Sequence, residues 1–282
     1  MRLPIFIIFY LISLNLFAQN LAFKNQEFSF SVGIAELDIE KFSPNKNLDF
    51  INYVDFDPEY LDFIIMKLGY RFDFFSKMSA DIKLIMMDDI IPDNYDISVD
   101  YFLKPWIGIG AGSTLNKIWI TYFEEYQIQA LPDYYLMDYN VQQFTAYDLG
   151  FYLSPILKPI DNGVFKLLIK CDLGISSFMK EEATFYHKKK LSNERLQYHY
   201  ETKADYQPYI QPRLDMRLKA FRIKETSFGI LLNSSYYYSK RSISYIRTIQ
   251  AWTSENKIKE QIEPPKHSYS RFEFNMGIFV SW

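Results

Sequence analysis

Residues 271–282 alternate between apolar and polar or small side chains along their whole length. The apolar set is Phe272, Phe274, Met276, Ile278, Val280 and Trp282. Side chains alternate across a β-strand with a period of two, so the segment predicts a strand with one apolar and one mostly polar face. Such a strand fits a position between an apolar and a polar environment.

The same alternation recurs in nine earlier segments, which predicts ten strands in all. A shift of phase near Ala35 predicts a β-bulge in the first strand. The nine earlier strands are predicted near residues 26–39, 60–74, 78–86, 99–112, 117–129, up to 153, 165–176, 210–219 and 228–238.

The predicted connections are long after odd-numbered strands and short after even-numbered ones. The short turns are predicted at residues 75–77, 113–116, 155–163 and 222–225. An even strand number with this alternation is typical of barrels that span the bacterial outer membrane. The fold class predicted is therefore all-β: a single antiparallel up-and-down transmembrane β-barrel of about ten strands, with long extracellular hairpin loops and both termini periplasmic. A soluble sandwich or lipocalin-like barrel would show the same alternation with its faces reversed.

The terminal segment resembles the C-terminal assembly signal of bacterial outer-membrane β-barrels, an alternating strand that ends in Phe or Trp. The resemblance implies that barrel-assembly machinery recognises this strand, through the residues Phe274, Met276, Ile278, Val280 and Trp282. We also expect Trp282 to face lipid at the periplasmic rim and Glu273 to point inward near the opposite end.

Residues 1–18 have the order of a secretory signal peptide. Arg2 precedes an apolar run from Leu3 to Phe17, and Ala18 stands at the expected cleavage point. An uncleaved anchor is the alternative, but the run is short for a bilayer span. The ending Leu-Phe-Ala-Gln resembles signal peptides common in Bacteroidota. The predicted division is a signal peptide at 1–18 and one barrel domain at 19–282.

Composition narrows the function classes. Aromatic residues make up 18% of the chain, which favours strands, and a formal net charge of −3 argues against nucleic-acid binding. Cys171 is the single cysteine, so an internal disulfide is excluded. No spacing of metal ligands and no phosphate-binding glycine loop is found, and we expect no cofactor and no metal. The expected partners are outer-membrane lipid, the assembly machinery and a surface ligand or protein, with the chain a monomer.

Charged residues of both signs fall on the polar faces and are predicted to line the lumen. They are Lys67, Arg71, Asp81, Lys83, Lys166, Lys170, Asp172, Arg213, Asp215, Arg217, Lys219 and Glu273, with Asp73, Asp100, Lys104 and Asp148 on the same faces. A ten-stranded barrel is narrower than a porin, and unpaired charges in so narrow a space are costly. The prediction is an interior plugged by ion pairs and a structural or surface-binding role. The alternative is a narrow transport channel.

A surface hydrolase is the third hypothesis, and it assigns no catalytic residue. Ten-stranded surface proteases use paired Asp and an Asp–His unit at the extracellular mouth. Here Asp88 and Asp89 are adjacent, and Glu201 follows His199 where an Asp should precede it. The resemblance is therefore limited to strand number and rough location.

Overall fold

The structure is a computed structural model that describes most of the chain. The described ranges are residues 23–39, 61–87, 92, 94–118, 134–141, 146–178, 182–191, 194–202, 206–241, 245–251, 257–262 and 267–282. The predicted signal peptide and most of the predicted strand at 117–129 lie outside these residues. No helix among the described residues is long and apolar enough to cross a membrane.

The described residues form fifteen strands, numbered in chain order. They are β1 (Phe23–Ile39), β2 (Leu61–Phe74), β3 (Met78–Met87), β4 (Asn94–Lys104), β5 (Ile107–Ile118), β6 (Tyr134–Val141), β7 (Ala146–Asp161), β8 (Phe165–Phe178), β9 (Glu182–Lys189), β10 (Arg195–Thr202), β11 (Tyr206–Ile223), β12 (Thr226–Arg241), β13 (Tyr245–Ala251), β14 (Lys257–Ile262) and β15 (His267–Ser281).

Ten of these strands close into an antiparallel barrel, in the order β1-β15-β12-β11-β8-β7-β5-β4-β3-β2. The prediction of a ten-stranded up-and-down barrel is confirmed. β1 and β15 close it in unbroken register from Glu27 opposite Ser281 to Ile39 opposite Tyr269. At this seam, a Cβ on Gly277 would lie 2.0 Å from the carbonyl oxygen of Phe30, so only glycine allows the two backbones to meet.

The two predicted boundaries around residue 105 are wrong. The strand predicted at 99–112 is split by a turn at Pro105 and Trp106, and the turn predicted at 113–116 lies inside β5. The β4–β5 hairpin carries an irregularity between Phe102 and Lys104, after which Phe102 pairs with Gly108. Even-numbered residues therefore share a face in both strands. The alternation runs through the turn without a change of phase, which is why sequence alone missed it.

Two smaller predictions also change. The bulge predicted near Ala35 is absent, because the register of β1 with both neighbouring strands is unbroken there; the irregularity of β1 lies between Phe23 and Asn25.

The turn predicted at residues 155–163 is shorter than expected. It is confined to residues 162–164, because Pro155 and Pro159 belong to β7. Proline is tolerated within strands at bulges, and the ladder between β7 and β8 is irregular between Leu157 and Ile160.

The barrel has an apolar exterior. Exposed apolar side chains occupy alternate positions of most barrel strands, such as Phe30 and Ile34 on β1 and Met276 and Ile278 on β15, the last two 61% exposed. The apolar side chains of β3 are buried or half-buried. The residues between the exposed apolar side chains, including Ser31 and Asn275, are buried. This is the reverse of a soluble barrel, and it fits a wall that meets lipid outside and polar groups inside.

The other five strands form a second sheet, in the order β14-β13-β10-β9-β6. Each lies in a long connection, and only three or four residues separate it from a barrel strand: β9 follows β8, β10 precedes β11, and β13 follows β12. Its order matches that of the barrel strands β15-β12-β11-β8-β7. We call it the outer sheet, and we call the opposite end, with the short turns, the turn end.

Replacing Met276 by Lys tests the outward face. A lysine near the middle of a lipid-facing strand should destabilise the barrel by roughly 2–4 kcal/mol. Urea unfolding from phospholipid vesicles measures the loss. Leu191→Lys is the control, because Leu191 is 99% exposed at the tip of the outer sheet and its change should stay within about 0.5 kcal/mol. Equal losses in the two variants would contradict the lipid-facing assignment.

Candidate functional site in the barrel interior

Ion pairs fill the interior from the outer-sheet side to the turn end. The first cluster surrounds Glu273 on β15, which is buried. Lys67 of β2 lies 2.6 Å from its Oε2, and Nε of Arg271 lies 2.8 Å from its Oε1. The hydroxyl of Ser235 donates to Oε2 at 3.2 Å. One carboxylate thus compensates two buried cations.

The second cluster joins opposite walls of the barrel through Arg213 on β11. Its guanidinium bonds to Asp96 on β4 and to Asp172 on β8. The hydroxyl of Tyr152 donates to Asp96 at 2.6 Å, and Ser154 donates to Asp172. The guanidinium carbon of Arg213 also lies 5.3 Å from the centre of the Tyr152 ring, a cation–π distance. Planar guanidinium donors suit two carboxylates at once, so Arg213 acts as a strut across the lumen.

A third group of ion pairs lies next to the Arg213 strut. Nζ of Lys170 lies 2.7 Å from both carboxylate oxygens of Asp100, on another path between β8 and β4. Asp81 and Lys83, neighbours on the inward face of β3, are 3.3 Å apart. The cavity among these groups holds only about 50 Å³. The centre of the barrel is therefore filled by paired side chains.

A larger cavity of about 370 Å³ opens at the turn end. Arg217 lies 2.9 Å from Glu27 and 3.6 Å from Asp215, and Arg71 donates to Ser79 at 2.8 Å. We call this cavity the turn-end vestibule. Its lining includes Glu27, Arg71, Lys166, Arg217, Lys219 and Arg222.

The predicted lumen residues take different places in this arrangement. The central clusters bring together Lys67, Asp81, Lys83, Lys170, Asp172, Arg213 and Glu273, and the turn-end group includes Arg71, Asp215 and Arg217. Lys166 and Lys219 line the vestibule without joining a cluster. Lys104, predicted inward, is exposed at the β4–β5 turn with Nζ 5.7 Å from the Trp106 ring. Glu273 lies near the middle of β15, not near the end opposite Trp282 as predicted.

Three interior charges escaped the sequence prediction: Glu27, Asp96 and Arg271. Asp96 precedes the start of the predicted strand at residue 99, although Asn94, Asp96, Ser98 and Asp100 alternate with Tyr95, Ile97 and Val99. That alternation was the signal that could have found it. Glu27 lies on the same face of β1 as the buried Ser31, and Arg271 lies on the same face of β15 as the buried Glu273.

The residues of the hydrolase hypothesis are not brought together among the described parts. His199 lies on β10, where its Nδ1 is 3.0 Å from the hydroxyl of Thr184. Asp88 and Asp89 lie outside the described residues. In the part of the chain that the structure describes, no group of three or more His, Cys, Asp or Glu side chains could hold a metal ion.

His187 is the buried titratable group of the outer sheet. It lies on β9 opposite Leu196 of β10 and is 2% exposed. Burial lowers the pKa of its imidazole below the usual 6.5, because the charged form loses its hydration. The folded sheet therefore holds this histidine in its neutral form at neutral pH.

A closed barrel with apolar side chains outside and paired charges inside is the architecture of outer-membrane β-barrels, and the chain belongs to this class. No protein-family model matches it, and no curated protein matches its sequence.

Three solved structures are similar to it in outline. Ail, the attachment invasion locus protein of Yersinia pestis, is 9% identical, with 90% of this chain and 97% of that chain covered and a TM-score of 0.28. A major outer membrane protein from Thermus thermophilus is 9% identical, with 90% and 99% covered and a TM-score of 0.27. The outer membrane protease OmpT from Escherichia coli is 10% identical, with 94% and 100% covered and a TM-score of 0.30. Likenesses of this size do not extend to activity.

Replacing Glu273 by Gln tests the first cluster. Lys67 and Arg271 would lose the carboxylate that compensates them, which should cost about 3–5 kcal/mol of unfolding free energy. Urea unfolding in vesicles measures it. Glu225→Gln, at an exposed turn position, is the matched control and should change stability little. A loss no larger than that of the control would show that the cluster is not a stabilising unit.

Acid should loosen the outer sheet through His187. Because its folded pKa is below the unfolded value, the unfolded sheet binds the proton more readily. Stability is complete above about pH 6.5 and declines as the pH falls below it. Limited proteolysis of the vesicle-embedded protein between pH 7.5 and 4.5 should show faster cleavage in the outer sheet at low pH. His187→Leu should abolish this dependence, whereas His199→Gln should keep it; an unchanged profile in His187→Leu would refute the assignment.

Proposed function

We propose that this protein is a non-conducting outer-membrane barrel that anchors a binding surface outside the cell. The observation that carries the proposal is the Arg213 strut, which bonds to both Asp96 and Asp172. β4 and β11 are four places apart in the ten-stranded ring, so the strut crosses the lumen instead of following the wall. An ion moving through the barrel would have to break these bonds.

The geometry around the strut supports closure. Lys170 bonds to Asp100 on the far wall, and Lys67 bonds to Glu273, so separate ion pairs occupy several levels. Breaking a buried pair leaves an uncompensated charge, which is strongly unfavourable. The plug is therefore expected to be permanent and not a gate that opens spontaneously.

The outer sheet supports the binding role. It extends five strands beyond the barrel, and its β9–β10 hairpin is held by a bond of 3.1 Å between Lys189 and Glu194. Leu191 at the hairpin tip and Ile258 on β14 are exposed apolar side chains there. A structured sheet with edge strands offers a more ordered contact surface than loops without secondary structure.

The orientation and partners follow from the same proposal. The short turns lie at the end where Trp282 pairs with Gln26, so this end would face the periplasm and the outer sheet the exterior. Lipid would cover the apolar exterior. The assembly machinery would recognise the outward residues of β15, which are Phe274, Met276, Ile278, Val280 and Trp282. The barrel would act as a monomer.

Conductance in a planar bilayer tests the plug. The wild-type protein should give no stable current steps, whereas the triple variant Asp96→Ala, Asp172→Ala and Arg213→Ala should conduct, because it removes the strut together with both carboxylates that Arg213 compensates. Lys219→Ala, which changes a residue outside the ion-pair clusters, is the control and should give no stable current steps. Stable, ion-selective steps from the wild type would instead establish a narrow transport channel.

A further inference from the structure

The turn-end vestibule contains two cations on neighbouring strands that lie directly opposite each other. Lys166 of β8 lies directly opposite Arg217 of β11. Like charges directly opposite each other on neighbouring strands are destabilising. Such a pair is balanced either by carboxylates of the protein or by an anion in the cavity, whose lining also includes Asp73, Asp161 and Glu225.

A second pair on the same strands shows how the fold compensates this arrangement elsewhere. Lys170 lies opposite Arg213, four residues further along both strands. There, Lys170 is paired with Asp100, and Arg213 is paired with two carboxylates. Every cation of the inner pair is thus compensated by the protein itself.

In the vestibule pair only Arg217 is compensated, by Glu27 and Asp215. In the part of the chain that the structure describes, no carboxylate lies within 4.0 Å of Nζ of Lys166. Two carboxylates attract the Lys166 ammonium group from a greater distance, but each is paired with another cation. Glu27 lies 2.9 Å from Arg217, and Asp161 lies 2.9 Å from Lys158.

Two further cations surround the same space. Arg71 is buried, and among the described residues the carboxylate nearest to it is that of Asp73, whose Oδ1 lies 3.7 Å from Nε of Arg71. Lys219 lines the vestibule two residues after Arg217, also without a carboxylate within 4.0 Å among the described residues. Lys166, Arg71 and Lys219 therefore retain donors that could converge on one anion.

We propose that the turn-end vestibule binds a soluble, phosphate-bearing solute, with Lys166, Arg71 and Lys219 as its main contacts. A phosphate group suits this set because its oxygens can accept several charge-assisted hydrogen bonds and arginine can donate two of them in parallel. The volume of about 370 Å³ is within the range of about 300–1,000 Å³ that is usual for small-molecule sites. Most of the lining side chains are charged or polar, including Asn25, Ser227 and Ser281, so a soluble solute is favoured over a lipid headgroup. The proposal does not depend on whether the barrel conducts.

Isothermal titration of the purified full-length protein with inorganic pyrophosphate tests this site. The wild type in neutral detergent should bind the probe, and Lys166→Gln should weaken binding by about tenfold or more, since a tenfold change corresponds to about 1.4 kcal/mol. Lys104→Gln is the matched control, because Lys104 is exposed at another turn of the same end and should bind as the wild type does. Absence of binding by the wild type, or equal binding by Lys166→Gln, would overturn the proposal.

Two further measurements complete the test. Without the probe, Lys166→Gln should be at least as resistant to urea as the wild type, because the like-charge pair is gone; a clear loss would mean that the lysine is already compensated and would overturn the proposal. In nanodiscs with anionic phospholipid, wild-type binding of pyrophosphate should persist. Its disappearance there would identify a lipid phosphate as the occupant and overturn the assignment to a soluble solute.

Discussion

A charge inside a narrow barrel must have a partner, and most of the interior follows from this constraint. Water has little room to hydrate the charged side chains around a cavity of about 50 Å³, so each depends on the protein. Arg213 meets the requirement with two carboxylates from two different strands, and Glu273 meets it with two cations. The ion pairs bind distant strands together and, by the same contacts, occupy the space through which solutes would pass.

The constraint relaxes toward the turn end, where the interior widens into the vestibule. Among the described residues, Lys170 has a carboxylate partner, whereas Lys166, four residues away on the same strand, has none within 4.0 Å. The interior therefore consists of a closely paired centre and a wider chamber at the turn end. The proposed plug rests on the centre, and the proposed anion site rests on the chamber.

The outer sheet shows a different use of the same chain. Its strands lie within a few residues of barrel strands and keep the same order. The barrel thus positions the sheet without a separate domain linker. Among the described residues the outer sheet ends in two edge strands, β14 and β6, whereas the closed barrel has no edge strand. Those edges are a reason to expect that this part of the molecule contacts a partner.

The predicted total of ten barrel strands is confirmed, although the predicted strand at 99–112 is two strands and the one at 117–129 lies mostly outside the described residues. Sequence alone determined the barrel architecture, the alternation of long and short connections, and the face to which most charges belong, because each strand carries the period of two in its own residues. It failed at Pro105 and Trp106, where a bulge keeps the phase of alternation across a turn. It also did not predict that Asp96 faces the lumen, because Pro92, Asp93 and Asn94 just before it are typical of a loop. Which charges pair was decided only by the tertiary structure. Asp96 and Arg213 are 117 residues apart, and their contact depends on barrel closure and strand register, which no local pattern specifies.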